Sequence, residues 1–248
     1  MFESIKGKRV LISGASGGLG LKMAELFAKN GAVLGLHYHS NRDALEKAFS
    51  SDSDSVTFLQ ADLTNQKEVK ELVERFVKEY GGIDVLINNA GAAHEYTHFS
   101  EVTDEVLKES FALNAFAPFY LMREVFPLMQ AKGGRIINIS SVNVKYGGSA
   151  KSLHYSAAKG ALESFARGFA RAGAEYNILV NTIRSGFIDT PMRNRVKGYT
   201  QADTKRRIEL IPLKRMGVPE DIARMALFLS SEGGDFITGE VLTVAGGD

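Results

Sequence analysis

The stretch Lys8-Arg-Val-Leu-Ile-Ser-Gly-Ala-Ser-Gly-Gly-Leu-Gly20 joins a short apolar run to a cluster of glycines. An apolar run of this length that stops at glycine is typical of a buried parallel strand. Residues 19–29 then place apolar side chains at helical spacing. Strand, glycine turn and helix in this order predict a dinucleotide-binding unit, because glycine lets the backbone approach phosphate and the helix N-terminus supplies N–H donors. A plain strand–helix turn is the alternative.

Strand and helix patterns alternate along the rest of the chain. Apolar runs predict further strands at 32–38, 56–60, 83–87, 135–139, 178–183 and 240–244. Amphipathic patterns predict helices at 65–80, at 101–131, around Tyr155 and at 219–230. Gly81-Gly82 ends the first of these helices, and Pro219 lies in the first turn of the last. Such alternation predicts one doubly wound α/β domain over residues 1–248.

Composition restricts the partners and the location. The chain has 248 residues, 44% of them hydrophobic and 24% charged, as in ordinary globular proteins. Its net charge of +1 gives no reason to expect binding to nucleic acid or to an anionic membrane. The absence of cysteine excludes disulfides, thiolate catalysis and cysteine metal sites. We find neither a signal peptide nor an apolar run of membrane-spanning length, so we expect a cytoplasmic protein.

The end of the second predicted strand bears on the cofactor. It reads Tyr38-His39-Ser40-Asn41-Arg42, with no acid before Asp43. An adenosine ribose with a free 2′-hydroxyl is usually held by an acid at this point. Small hydrogen-bonding groups followed by Arg42 favour a 2′-phosphate, and therefore NADP(H) over NAD(H). A polar loop with no ligand is the alternative.

Polar residues also follow the third and fourth predicted strands. Asp62, before Leu63, can accept a hydrogen bond from an adenine amino group; alternatively, Asp62 and Thr64 only begin the next helix, with Thr64 as its N-cap. The sequence Asn88-Asn89-Ala90-Gly91 suits a crevice at the carboxyl ends of parallel strands, where ligands bind in open α/β sheets. It also suits an ordinary turn.

Three residues suggest proton chemistry. Tyr155 and Lys159 are four residues apart, which places them on one face of a helix. A nearby ammonium lowers the pKa of a phenol from about 10, so that tyrosine can act as a general acid or base. Taken alone, the pair also fits an exposed helical face. Asn114 lies among apolar neighbours, where it either bends the helix and holds a water or is a satisfied core amide.

The order of these motifs resembles the short-chain dehydrogenase/reductase family. The motifs are the glycine turn at 14–20, Asn88-Asn-Ala-Gly91, Ser141 and Tyr155-x-x-x-Lys159. The resemblance extends from about Lys6 to Asp248. It implies a Rossmann domain with a mostly parallel seven-stranded sheet, a homotetramer or homodimer, and no catalytic metal.

The same resemblance implies roles for individual residues. Tyr155 exchanges a proton with the substrate oxygen, and Ser141 hydrogen-bonds that oxygen, with Ser140 as the alternative. Lys159 lowers the phenol pKa and holds the nicotinamide ribose, while Asn114 positions a water that passes protons to Lys159. The implied cofactor contacts are Gly14, Ser16, Gly18, Leu19, Gly20, His39, Ser40, Asn41, Arg42, Asp62, Leu63, Asn89, Ala90, Gly91, Tyr155, Lys159, Gly186, Ile188 and Thr190.

The substrate is less closely defined by the sequence. The chain most resembles the 3-oxoacyl-(acyl-carrier-protein) reductase branch, which implies a small carbonyl or alcohol substrate and suggests a coenzyme A or carrier-protein thioester. A sugar, polyol or other ketone is the alternative, and a non-catalytic dinucleotide-binding regulator is disfavoured by the intact Tyr155 and Lys159.

The lid of such enzymes corresponds to about 187–215. This segment is basic and could attract an anionic substrate, or could simply be a solvated helix and loop. Within it, residues 191–210 carry Arg193, Arg195, Lys197, Lys205, Arg206 and Arg207 against Asp203 and Glu209. Lys132 fits a carrier-docking face, whereas Tyr176 does not. The candidate pocket residues are His94, Asn143, Tyr146 and His154.

Overall fold

A central seven-stranded parallel sheet organises the molecule. The computed structural model of the chain describes residues 5–49, 54–93, 95–190 and 196–248. The strand order is β3-β2-β1-β4-β5-β6-β7. The strands are β1 (Arg9–Ile12), β2 (Val33–Tyr38), β3 (Val56–Gln60), β4 (Val85–Asn88), β5 (Gly134–Ser141), β6 (Ile178–Ser185) and β7 (Val241–Val244). The predicted doubly wound α/β fold is confirmed.

Helices connect the strands and cover the sheet. They are α1 (Gly18–Lys29), α2 (Asp43–Ala48), α3 (Gln66–Tyr80), α4 (Asp104–Phe111), α5 (Ala117–Met129), α6 (Asn143–Tyr146), α7 (Leu153–Gly173), α8 (Gln201–Leu210) and α9 (Pro219–Ser230). Short 3-10 turns lie at Phe99–Glu101, Ala174–Tyr176 and Glu232–Gly234. Within the described ranges, no helix is both long enough and apolar enough to cross a bilayer.

Two apolar layers hold the sheet between the helices. Phe27 of α1 and Ile222 of α9 belong to the cluster on one face. Phe76 of α3, Leu121 of α5 and Leu162 of α7 belong to the cluster on the other. Phe27 and Phe76 are fully buried, and each such side chain stabilises the fold by about 1.5–3 kcal/mol. The two layers fix the carboxyl edge of the sheet, on which the candidate site is built.

The strand order reverses between β1 and β4. From β1 the chain proceeds to β2 and β3 on one side, and β4 then returns to the other side of β1. In the register of this pair, Ile12 lies opposite Ile87. The glycine turn after β1 and the loop after β4 therefore leave the sheet side by side. Open α/β sheets bind ligands at such a switch point.

Two sequence expectations about helices differ in outcome. The predicted helical region 101–131 is helical from Asp104 to Met129, and the π-helical segment Ala112–Phe116 joins α4 to α5 within it. Thr64 is not the N-cap of α3. That position is Asn65, whose side chain accepts a hydrogen bond from the backbone N of Lys67 at 3.0 Å. Thr64 instead donates to Asp62 over 2.7 Å.

Candidate active site

The glycine turn brings three segments of the chain together. Gly14 and Gly18 have φ angles of +64° and +48°, which L side chains rarely adopt. A Cβ atom on Gly14 would lie 2.9 Å from the Cα atom of Ala90. One on Gly18 would lie 3.2 Å from the Cβ atom of Thr190. The turn thus contacts the loop after β4 and the segment after β6, as the predicted cofactor contacts require.

Asn89 and Ser13 fix the loop after β4 on this turn. The Asn89 Nδ2 atom donates to the carbonyl oxygens of Ser13 and Gly14 at 2.9 and 3.0 Å. The Ser13 hydroxyl oxygen accepts from the backbone N atoms of Asn89 and Ala90, each at 3.0 Å. These bonds hold the loop against the glycine turn, and its part in a ligand crevice stays a prediction.

Residues after β6 form another wall. The backbone N of Gly186 donates to Val244 at 2.9 Å. Asp189 donates through its backbone N to Gly217 at 3.0 Å, and Ile188 between them is buried. The carbonyl oxygen of Phe187 accepts from the backbone N of Gly217 at 3.0 Å, so main-chain bonds hold both neighbours of Ile188. Thr190 lies against the glycine turn, with its Cβ atom 3.2 Å from the position of a Cβ on Gly18. In the turn itself, Ser16 is partly exposed, whereas Leu19 packs on the core.

The residues predicted to hold a 2′-phosphate lie at the end of β2. His39, Ser40, Asn41 and Arg42 are all exposed there. The Asn41 side chain accepts from the backbone N of Asp43 at 2.8 Å. The Arg42 guanidinium is 2.6 Å from a carboxylate oxygen of Glu46. An exposed pair of this kind contributes little stability.

A cleft of about 470 Å³ opens beside these residues. Its lining residues are Tyr38, His39, Arg42, Phe58, Gln60, Ala61, Asp62, Glu68 and Arg75. The Asp62 carboxylate accepts from the backbone N and the hydroxyl of Thr64 at 2.9 and 2.7 Å. These bonds lower the pKa of Asp62 and keep it ionised. The side chain of Leu63 is buried in the core.

Ser141 and Tyr155 meet at the carboxyl end of β5. The Ser141 hydroxyl interacts with the Tyr155 phenol and acts to lower its pKa, and it accepts from the backbone N of Asn143 at 3.2 Å. Successive side chains of a strand point to opposite faces. Ser140 accordingly points away, and its hydroxyl donates to Glu163 at 2.8 Å. The geometry favours Ser141 over Ser140 as the partner of the substrate oxygen.

Burial controls the protonation of both α7 residues. It raises the pKa of Tyr155 to about 12, although the Ser141 hydrogen bond acts in the opposite direction. It lowers the pKa of Lys159 to about 8. The Lys159 ammonium donates to the carbonyl oxygen of Ile139 at 2.9 Å and lies 6.0 Å from the Tyr155 ring centroid. Desolvation is the larger cause and Lys159 is not among the causes, so the expected lowering of the phenol pKa by this ammonium stays a prediction. Tyr155 keeps its proton at neutral pH.

Asn114 lies in the π-helical segment, beside Lys159. Its amide nitrogen donates to the carbonyl oxygens of Ser110 and Ala92, both at 2.9 Å. Its amide oxygen accepts from the backbone N of Ala92 at 3.2 Å. A Cβ atom on Gly91 would lie 2.8 Å from this oxygen and 2.9 Å from the Lys159 Nζ atom. The side chain is thus a satisfied core amide that joins the helix to the loop after β4.

Sequence reasoning did not single out Glu163. This buried residue of α7 lies one helical turn beyond Lys159. Besides Ser140, its carboxylate accepts two bonds from Arg184 of β6, from Nε at 2.8 Å and from a terminal nitrogen at 2.7 Å. The available signal was the i, i+4, i+8 spacing of Tyr155, Lys159 and Glu163. Glu163 anchors the helix that carries the site to β5 and β6.

The other residues predicted to line the substrate pocket lie in different environments. Asn143 begins α6, Tyr146 is exposed, and His154 is buried. His94, Arg193 and Arg195 lie outside the described residues.

Two of the four cations described within residues 191–210 are paired. Lys197 pairs with Glu95 at 3.1 Å and Arg207 with Asp248, whereas Lys205 and Arg206 are exposed. On the proposed carrier-docking face, Lys132 is also exposed, while the Tyr176 ring packs on Phe126 at 6.2 Å.

Comparison with known proteins identifies the family. The family model described as enoyl-(acyl carrier protein) reductase matches residues 14–248. The chain belongs to the short-chain dehydrogenase/reductase family. The 3-oxoacyl-[acyl-carrier-protein] reductase FabG of Chlamydia pneumoniae is 32% identical over 248 residues, covering 98% of each chain. FabG of Chlamydia muridarum is 34% identical over 251 residues, covering 100% of this chain and 99% of the relative. Glucose and ribitol dehydrogenase of Daucus carota is 33% identical over 254 residues, covering 99% and 86%.

Because the chain belongs to the short-chain dehydrogenase/reductase family, it is an NAD(P)-dependent oxidoreductase. The residues present fit such a cofactor. Gly14 and Gly18 leave a space that a Cβ atom would close, and Asn89 and Thr190 border the same turn. Tyr155 and Ser141 lie at the carboxyl edge of the same sheet, where a substrate oxygen can be reached from the crevice.

Proposed function

We propose that this short-chain dehydrogenase/reductase is an NADP(H)-dependent carbonyl reductase that acts on 3-oxoacyl thioesters. One arrangement carries the proposal: Tyr155 and Ser141 lie together at the carboxyl edge of a sheet whose glycine turn suits a dinucleotide. Reduction of a carbonyl group requires a proton donor for its oxygen, and a second hydrogen-bond donor stabilises the charge that develops there.

Each residue has a distinct part in the proposed reaction. A bound nicotinamide supplies the hydride when the carbonyl is reduced. Tyr155 donates its phenolic proton to the carbonyl oxygen, while the Ser141 hydroxyl stabilises the charge that develops there. Lys159, with its pKa near 8, replaces the phenolic proton at near-neutral pH.

We also propose that Asn114 belongs to the route by which protons reach Lys159. Both hydrogens of its side-chain amide are used by Ser110 and Ala92, and its amide oxygen accepts one bond from Ala92. In this proposal a water in the route binds its main chain. The π-helical segment is the feature that supports this part of the proposal, because such turns change the main-chain bonding of a helix locally.

The preference for NADP(H) rests on the end of β2. No acid stands there to accept from a ribose 2′-hydroxyl, and Arg42 is exposed at the edge of the cleft. The glycine turn, the loop at Asn89–Gly91 and the segment 186–190 would hold the remainder of the cofactor. Comparing kcat/KM for NADPH and NADH tests this, and a clear preference for NADH would contradict it.

Thioesters are favoured by the relatives at 32–34% identity that are named 3-oxoacyl-[acyl-carrier-protein] reductases. Two alternatives have their own support. The carrot relative is named a glucose and ribitol dehydrogenase, and the matching family model is described as an enoyl reductase. A sugar or polyol is thus the second candidate substrate. The third is a substrate whose carbon–carbon double bond is reduced.

One assay separates these candidates. Purified protein is given NADPH with acetoacetyl-CoA or crotonyl-CoA, and NADP⁺ with ribitol or glucose, while cofactor absorbance is followed. We expect turnover of acetoacetyl-CoA and little of the others. Faster turnover of the polyol, or of the crotonyl thioester, would replace the proposed substrate while leaving the reaction class intact.

We further propose a homotetramer or homodimer, in keeping with the family resemblance. Partly exposed aromatic rings on α5 and α7 pack together, with Phe119 centred 5.0 Å from Phe165 and 5.7 Å from Phe169. These rings offer a surface for a second copy of the chain. Light scattering would reveal a monomer if this is wrong.

A carrier-protein partner is supported by the exposed Lys132 and not by Tyr176, so acyl-carrier and coenzyme A thioesters should be compared directly.

A further inference from the structure

A buried histidine underlies the glycine turn. His37 of β2 is 3% exposed, and both of its ring nitrogens are engaged. The backbone N of Gly14 lies 2.9 Å from the Nδ1 atom. The Nε2 atom lies 3.0 Å from the carbonyl oxygen of Ala61. One side chain therefore joins the turn after β1 to the end of β3.

These contacts define the state of the ring. A backbone N–H can only donate, so Nδ1 must be unprotonated; a carbonyl oxygen can only accept, so Nε2 must carry the proton. Burial lowers the pKa of His37 to about 4, which keeps this neutral form at neutral pH. The imidazole acts as a fixed acceptor for Gly14 and a fixed donor to Ala61.

The main chain of His37 reinforces the same arrangement. Its carbonyl oxygen accepts from the backbone N of Ala15 at 2.7 Å. Two successive N–H groups at the start of the turn are thus held by one residue. The carbonyl of Gly14 is held in addition by Asn89 at 3.0 Å. Because these peptide groups are fixed, Gly14 is held in its left-handed backbone conformation and does not sample others.

We propose that His37 is a positioning residue for dinucleotide binding. It sets the conformation of the glycine turn that meets the cofactor phosphates, and it links that turn to Ala61 beside the predicted adenosine contacts Asp62 and Leu63. The role rests on the proposed use of this turn as the cofactor site. His37 acts through Gly14 and makes no contact of its own in the reaction.

Two conservative substitutions test the two hydrogen bonds of the His37 ring separately. In His37→Asn, the amide oxygen takes the place of Nδ1 and can still accept from Gly14, but nothing reaches Ala61. In His37→Gln, the amide nitrogen takes the place of Nε2 and can still donate to Ala61, but Gly14 loses its acceptor. Both variants keep a polar side chain of similar bulk, which makes each the control for the other.

The experiment measures the Kd of NADPH and NADH by fluorescence titration, kcat at saturating cofactor, and the thermal midpoint of each variant. We expect His37→Gln to weaken both cofactors by about tenfold, as one lost hydrogen bond predicts, with kcat within about twofold. His37→Asn should weaken them by no more than about threefold. Amide exchange of the peptide spanning Gly14 in the unliganded protein should be faster only in His37→Gln.

Several outcomes would overturn the assignment. Equal affinities for the two variants, a loss confined to kcat, or faster exchange in both would each show that His37 only fills space. If either variant does not fold, exchange at Gly14 in the other, compared with wild type, decides between the two roles. A wild-type protein that binds neither dinucleotide would instead refute the proposed function, and with it any positioning role.

Discussion

Replacing Glu163 by leucine should destabilise the protein strongly. The carboxylate is 2% exposed, and it accepts from Ser140 and twice from Arg184. Its removal leaves a guanidinium and a hydroxyl without their acceptor. Removing one partner of a buried ion pair costs about 3–5 kcal/mol. The Arg184 side chain is 23% exposed, so water compensates in part, and we expect about 3 kcal/mol, the lower end of that range.

A double-mutant cycle isolates the pair. Urea unfolding would be measured for Glu163→Leu, Arg184→Leu and the double variant. The double variant should be more stable than the sum of the single losses predicts, by about 1–3 kcal/mol, because it leaves no unpaired charge. Glu74→Leu is the matched control, since Glu74 forms an exposed pair with Lys70 at 3.8 Å. Its effect should stay within about 0.5 kcal/mol.

The position of Glu163 adds a kinetic consequence. It stands on the same helix as Tyr155 and Lys159 and bonds to the neighbour of Ser141. We expect Glu163→Leu to lower kcat at temperatures where it remains folded. A loss of stability below about 1 kcal/mol, or strictly additive losses in the cycle, would refute the reasoning that this pair anchors the site.

Three further predictions concern the candidate site. Because burial lowers the pKa of Lys159 from 10.5 to about 8, the folded state disfavours the ammonium. Lys159→Met should therefore gain up to about 3 kcal/mol at pH 7 while losing activity. The gain should shrink as pH rises from 8 towards 10.5, and an equal gain throughout in urea unfolding would contradict this. Gly91→Ala should abolish turnover, because its Cβ atom would lie 2.9 Å from the Lys159 ammonium; Gly168→Ala, with nothing within 4 Å, is the control and should retain activity. Arg42→Ala should reduce kcat/KM for NADPH by about tenfold and leave that for NADH within about twofold; equal losses would remove Arg42 from the choice of cofactor.

The sequence predicts the sheet and the convergence of the motifs well, for a geometric reason. Parallel strands end at one edge, so the motifs that follow β1, β4, β5 and β6 must gather there. The glycine turn, Asn89 and Thr190 do meet. Strand alternation also separates Ser141 from Ser140, as the bond from Ser140 to Glu163 shows.

The remaining features depend on tertiary contacts that no local pattern encodes. The phenol pKa of Tyr155 follows from burial, which a spacing of four residues does not reveal. The π-helical turn at Ala112–Phe116 and the bonds of Asn114 require the loop after β4 to lie alongside this helix. His37 and Glu163 are single polar residues within apolar stretches. Their partners are distant in sequence, so no local pattern identifies what they bind.

The most direct test of the proposed chemistry is ketone reduction by Tyr155→Phe with NADPH. The substitution removes only the phenolic oxygen, so cofactor affinity should stay within about twofold while kcat/KM for acetoacetyl-CoA falls about 10²–10⁴-fold. A variant that binds NADPH and reduces the ketone at the wild-type rate would show that Tyr155 is not the proton donor.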